Sequence, residues 1–176
     1  TLVVTGTEGA AEGNYLALSG RRPAKLTVLP DLGREIDPRR DIATVRQLIR
    51  VIRDFRPHIV ETHTAKAGAL GRMAAWWCGV PVVTHTFHGH VFSGYFRPHV
   101  AQAFVLTERV LARATTCLIA VSESVRREVQ AAGVGRRTRF EVIPLGLNLA
   151  PFADAGAQRG GLRASLGLPP DALVVG

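Results

Sequence analysis

Three histidines fall within six positions of the stretch THTFHGHVF, residues Thr84–Phe92: His85, His88 and His90. A neutral imidazole both donates and accepts hydrogen bonds, and it also ligates zinc. Three readings of the cluster stand side by side. It is a polar strand end with solvent-facing rings, or a zinc site, or a sugar-binding site. Zinc is the hardest to build. Alternation along a strand puts His85 and His88 on opposite faces, and no cysteine or acidic ligand adjoins them. In the sugar-binding reading, Gly89 allows a tight bend that exposes an imidazole to hydroxyl groups.

A second constellation is His63-Thr64-Ala65-Lys66-Ala67-Gly68, which follows an apolar run and opens a helical pattern. Helix N-termini carry free N–H groups and a positive dipole end, suited to an anion or a polyol. Gly68 lets a ligand or a neighbouring backbone come close. The plainer reading is an ordinary strand–helix turn capped by Thr64. A third stretch, Val91–Pro98, places three aromatics around Gly94. Phe92 reads as core. Tyr95 and Phe96, with Arg97, read as a loop meeting a bilayer interface.

These residues need a scaffold, and the chain supplies a regular one. Short β-rich runs alternate with helical patterns: Leu2–Thr5, Leu26–Leu29, Ile59–His63, Val80–Phe87, Cys117–Ser122, Phe140–Pro144 and Ala172–Val175. Most are apolar without polar alternation, as expected of strands buried on both faces of a parallel sheet. Between them, Asp41–Phe55 carries Ile42, Val45, Leu48, Ile49, Ile52 and Phe55 on one stripe, with Asp41 as N-cap and Arg56-Pro57 as stop. Ala65–Trp77, Val100–Ala114 and Glu123–Ala132 also read as helices, the last capped by Ser122 and ended by Gly133. Gly9–Leu18 is a weaker helix, interrupted by Gly13. A short helix is expected over Leu162–Leu166. The order predicts right-handed βαβ units and a doubly wound, mostly parallel α/β sheet. Ligands of such sheets bind beyond the carboxyl ends of the strands, where both histidine-containing stretches fall.

The chain has 176 residues, 47% apolar, with a formal charge of +8 that is almost all arginine. That length suits one packed domain, and the apolar content excludes a disordered tail. The charge attracts phosphates without choosing between nucleic acid, anionic lipid and nucleotide. No apolar run reaches membrane-spanning length, and no signal peptide opens the chain, which implies the cytoplasm. Cys78 and Cys117 read as buried thiols and not as a disulfide. No G-x-G-x-x-G opens a helix after a strand, and no P-loop, G-x-S-x-G or C-x-x-C is present.

Four segments appear in order with compatible spacing: RPHIVETHTAKAGALGRMAA (56–75), GVPVVTHTFHGHVFSGYF (79–96), LIAVSESVRREV (118–129) and FEVIPLGLNLAPF (140–152). Together they resemble the N-terminal, acceptor-side, Rossmann-like domain of GT-B glycosyltransferases of family 4, above all bacterial ones for lipid-linked or exopolysaccharide sugars. The resemblance implies retaining transfer from a nucleotide-sugar, bound by a separate C-terminal domain, to a lipid-linked or polysaccharide acceptor. It implies no metal and no cofactor beyond the donor. His88 matches the family's active-site histidine. Thr64, Lys66, Gly68, Gly89 and His90 would line the acceptor side, Ser122 and Glu123 would open a helix facing the cleft, and Gly146 would mark the crossing between domains. The resemblance further implies peripheral contact with the inner membrane face. No nucleic-acid partner is expected, since the charge comes without aromatic interleaving or a docking motif.

The chain departs from the family's pattern in three ways. It starts at what looks like the second strand, so the first strand is missing and a gap is expected beside Leu2–Thr5 and Ile59–His63. No glutamate pair stands eight apart. Leu145 stands where the family often has Asn. Residues 1–152 are therefore expected to form the acceptor-side domain, and 153–176 the linker and the start of a donor domain, in a fragment inactive alone. Competing readings are a GT-B-type nucleotide-sugar epimerase half, which would need acidic catalytic residues in the cleft, and a non-catalytic basic module binding anionic lipid or nucleic acid.

Overall fold

The computed structural model describes residues 1–7, 25–33, 35–89, 98–153, 160–169 and 171–173. The expected alternation is present. Strands β1 (Val3–Gly6) and β2 (Leu26–Leu29) lead into helix α1 (Pro38–Phe55). Then β3 (Ile59–His63), α2 (Ala65–Trp77), β4 (Val82–Phe87), α3 (Pro98–Ala112), β5 (Cys117–Ala120), α4 (Glu123–Ala131) and β6 (Arg139–Val142) follow in turn. Every ladder is parallel, in the orders β1-β2 and β3-β4-β5-β6. The helix expected over Gly9–Leu18 lies outside the described residues.

Local chemistry explains where the elements begin and end. Helix α1 starts one turn before Asp41. The Asp37 carboxylate accepts from the Arg39 and Arg40 amides at 2.9 and 3.2 Å, with Pro38 just inside the helix. An acidic cap followed by proline is the stronger start signal, because proline's missing N–H is one the first turn leaves unpaired anyway. Asp41 thus sits in the first turn. Strand β4 begins at Val82, since Pro81 has no N–H to give to a ladder. Ser122 caps α4 as expected, its hydroxyl accepting from Val125 N at 3.2 Å.

One apolar cluster joins the two sheets through the helices. It holds Leu29 of β2, Leu48 and Ile52 of α1, Leu70 and Ala74 of α2 and Val83 of β4. A second holds Phe87, Leu118 and Val129, with Phe140 packed against it. The sheets do not merge. Among the described residues β1 pairs only with β2, and β3 only with β4. Between these edges opens a trough of about 1240 Å³, lined by Val4 and Gly6 on one side, Ile59 and Thr62 on the other, and Leu48 and Ile52 of α1. This matches the gap expected from the sequence. It also leaves Phe55, at the end of the predicted apolar stripe, 41% exposed.

The chain divides into two compact units, residues 1–144 and 145–176. The second contains α5 (Ala150–Ala153) and α6 (Gly161–Ser165). Gly146 belongs to it, exposed and with open space around its Cα. Of the run Ala172–Val175, Ala172 and Leu173 are not in a strand, and the rest lies outside the described residues. Among the described residues no helix is long and apolar enough to cross a membrane. Both cysteines are free and half-buried, so neither is the fully buried thiol expected. Burial raises the Cys117 thiol pKa above its ordinary value.

Candidate functional site

The carboxyl ends of β3 and β4 lie side by side, with His63 opposite Thr86 in the ladder. Alternation, carried one residue past the end of β4, puts Glu61 and His63 of β3 on one face with Thr86 and His88. His63 Nδ1 and His88 Nε2 are 2.9 Å apart, both rings exposed, their centroids 5.2 Å apart. Glu61 Oε1 lies 3.7 Å from His63 Nε2 and accepts from the Thr86 hydroxyl at 3.2 Å. His63 also lines the trough. His63 stands in the second constellation of the sequence without a role of its own, and Glu61 is a site residue that the sequence did not mark. The available signal was parity: E-x-H ending one strand and T-x-H ending its neighbour share a face when the strands pair in parallel.

His85 points the other way, as alternation requires. It is 1% exposed. The Thr62 hydroxyl donates its single proton to the Thr84 carbonyl at 3.1 Å, so it accepts from His85 Nδ1 at 2.9 Å. The buried ring is therefore the neutral Nδ1–H tautomer. Burial, with the Arg72 guanidinium nearby, lowers its pKa from 6.5 to about 3. Phe87 meets the ring edge-on at a centroid distance of 4.6 Å. Gly68 makes room for it, because a Cβ there would stand 2.4 Å from His85 Cε1. The close approach anticipated at Gly68 is thus filled by a side chain of the protein itself.

Beneath the ring, Arg72 reaches from α2 to α3. Its Nη2 donates to both Glu108 oxygens at 2.6 and 2.8 Å, and its Nε to the Gly68 carbonyl at 3.0 Å. Both side chains are buried, 0% and 5% exposed. Among the described residues no group of histidine, cysteine and carboxylate side chains could hold a metal ion.

Thr64 does not cap α2 by its side chain. Its backbone takes φ 62° and ψ 164°, a region that is otherwise almost glycine's alone. Such strain persists where the surroundings over-determine it, and it gathers at ligand-binding turns. Thr64→Gly is expected to stabilise the fold by about 1 kcal/mol, the relief of strain less the entropy glycine costs. A urea midpoint unchanged or lowered would show that the turn is not strained.

The other expected site residues are placed as follows. The Lys66 ammonium is 2.6 Å from Asp41 Oδ1 and also donates to the Glu35 carbonyl, so its charge is shared with the first turn of α1. Gly89 is exposed, with nothing within 4 Å of a Cβ position. Glu123 is held by Arg126 one turn along α4, and that hydrogen bond lowers its pKa. The Ser122 hydroxyl is used in its cap. His90, and the aromatic loop Phe92, Tyr95, Phe96 and Arg97, lie outside the described residues. Within residues 1–144 the structure thus brings His88, His63, Thr64 and Lys66 to the same end of β3 and β4. It sets Ser122 and Glu123 after β5, the next strand.

The family model for the glycosyl transferase 4-like domain matches residues 2–146. The chain is 33% identical over 127 residues to an Escherichia coli UDP-Gal:alpha-D-GlcNAc-diphosphoundecaprenol alpha-1,3-galactosyltransferase, a match covering 72% of this chain and 33% of that protein. It is 33% identical over 78 residues to a Yersinia pestis UDP-N-acetylglucosamine–N-acetylmuramyl-(pentapeptide) pyrophosphoryl-undecaprenol N-acetylglucosamine transferase, covering 44% of this chain and 20% of that one. The chain therefore spans a third or less of these relatives. Among solved structures, UDP-N-acetylglucosamine 2-epimerase from Rickettsia bellii aligns with TM-score 0.59 at 13% identity, covering 96% of this chain and 51% of that one. A sucrose-phosphate synthase structure from Thermosynechococcus elongatus aligns with TM-score 0.57 at 14% identity, over 95% of this chain and 99% of that one. At those identities the likeness is one of fold: the Rossmann-like half of a GT-B architecture.

Proposed function

The chain belongs to the glycosyl transferase 4-like domain family, and from that premise we propose that it is the acceptor-side half of a retaining hexosyltransferase. The donor is a nucleotide-sugar held by a separate half of the enzyme. The acceptor is a lipid-linked or polysaccharide sugar. The observation that carries this reading is the meeting of His63 and His88 at 2.9 Å, exposed, at the carboxyl ends of adjacent parallel strands. That is where open α/β sheets take ligands. Imidazoles so placed can hydrogen-bond sugar hydroxyls or share charge with a departing phosphate. The activities named for the two relatives add support, since both pair a UDP-sugar with an undecaprenol-linked sugar.

Peripheral contact with a membrane surface belongs to the same proposal. Trp76 and Trp77 are each 66% exposed, and Met73 shares their face of α2. Exposed tryptophans settle at the level of lipid headgroups, and a chain of net charge +8 favours anionic ones. Thr64, Lys66, Gly89 and His90 are proposed to line the acceptor side. Ser122 and Glu123 are proposed to face the cleft at the start of α4, and Gly146 to lie at the crossing toward the donor half.

The test is a sugar-transfer assay on an enzyme carrying this segment together with its donor-binding half. His88→Ala is expected to lower kcat by about 10²-fold, the size of effect seen when a preorganised hydrogen-bond partner is removed from a reaction centre. Nucleotide affinity should hardly change. Transfer at the unsubstituted rate would remove His88 from the reaction centre and the proposal with it.

A further inference from the structure

We infer that Glu61 and His63 are positioning residues that hold His88 as its Nε2–H tautomer, so that its Nδ1 carries the lone pair and acts only as an acceptor. The inference deepens the proposed function and rests on it for the role of His88. The geometry is independent of that role.

Two imidazole nitrogens at 2.9 Å share a single proton, so one ring donates and the other accepts. His63 decides which. Its far nitrogen, Nε2, lies 3.7 Å from Glu61 Oε1. A carboxylate there favours the proton on the nitrogen facing it, as carboxylates do for metal-binding and catalytic histidines. With Nε2 protonated, a neutral His63 has only a lone pair at Nδ1. His88 must then donate through Nε2–H, and its own Nδ1 carries the other lone pair. Glu61 is itself oriented, since Thr86 Oγ1 donates to Oε1 at 3.2 Å. The order is Thr86 hydroxyl to Glu61 carboxylate, His63 Nε2–H toward that carboxylate, and His88 Nε2–H to His63 Nδ1.

The other charged groups around this chain of contacts do not reverse the order. His85 of β4 is neutral and faces the interior, its Nδ1 proton engaged with Thr62. Arg72 is paired with Glu108 inside the fold. Lys66, on the helix that follows β3, is matched by Asp41. The consequence concerns ligand chemistry. A His88 held this way accepts from a donor group such as a sugar hydroxyl. It has no second N–H to give to a phosphate oxygen while both rings are neutral.

The test is nuclear magnetic resonance of the 176-residue chain with ¹⁵N-labelled histidine, at a concentration where light scattering shows a monomer, reading from long-range ¹H–¹⁵N correlations which nitrogen of each ring carries the proton. The expected result is a protonated Nε2 and a bare Nδ1 for His88, with the reverse tautomer for His85 as an internal check of the fold. His63→Asn places an amide oxygen near the Nδ1 position and should keep the His88 tautomer. His63→Leu and Glu61→Leu should each let it revert to a mixture. Both positions are exposed, so the core signal of His85 should not move. A His88 proton on Nδ1 in the unsubstituted chain, or a tautomer indifferent to His63→Leu, overturns the inference. No sugar transfer is measured, so either outcome leaves the proposed activity to its own assay.

Discussion

Replacing Glu108 by glutamine is expected to destabilise the fold by about 3–5 kcal/mol, the usual cost of removing one member of a buried ion pair. Both Arg72 nitrogens that make side-chain and backbone bonds are tied down, and the guanidinium is fully enclosed. Arginine stays charged at any accessible pH, so it cannot escape by losing a proton. Glutamine keeps the shape and one acceptor oxygen but leaves the positive charge uncompensated. Native domains have only about 5–15 kcal/mol in hand, so the loss is a large part of the total. The measurement is the urea midpoint at unchanged slope. The double variant Arg72→Met with Glu108→Leu tests the cause. Two apolar groups of similar volume should restore most of the stability, because the penalty lies in the stranded charge. A double variant as unstable as the single one would show that packing alone is responsible.

Below neutral pH, His85 is expected to make the fold increasingly acid-sensitive. The folded ring titrates at about 3 and the unfolded one at 6.5. Between those values the unfolded chain binds a proton that the folded chain refuses. Stability therefore falls as pH falls through that window, by about 1.4 kcal/mol per unit, and is unaffected by this residue above it. From pH 6.5 to 4 the contribution amounts to roughly 3 kcal/mol. His85→Asn retains a donor near the Nδ1 position and cannot titrate. Its stability at neutral pH will be lower because the ring's volume is lost. The informative quantity is the slope of stability against pH between 6.5 and 4, which should flatten by about 1.4 kcal/mol per unit. An unchanged slope would mean that carboxylates elsewhere dominate acid unfolding and that His85 is not held neutral.

These two effects come from one cluster, and the cluster shows where sequence reasoning stops. The alternation of strands and helices was plain in the apolar runs, because each buried strand and each helical stripe leaves a local signature. Ser122 as a cap was equally local. The Arg72–Glu108 pair was not. Arg72 sits in an apparently ordinary helix, and its partner lies on the next one, beyond β4. Nothing in either neighbourhood marks a charge as buried. The opposite fates of His85 and His88 did follow from strand parity. Their partners, Thr62 and His63, depended on the β3–β4 register, which a single sequence does not print. Thr64 shows the limit for backbone: glycine would have announced a positive φ, and threonine concealed it.

The trough between β1 and β3 has a consequence for handling the molecule. Among the described residues each bank is a strand edge whose outward N–H and C=O groups have no ladder partner. A free edge of this kind recruits whatever extended peptide it meets, including the same segment of another molecule. Concentrated preparations of the isolated chain will therefore tend to grow by edge-to-edge addition, with light scattering rising steeply with concentration. A short soluble β-forming peptide supplied in excess should occupy the seat and hold the molecules apart.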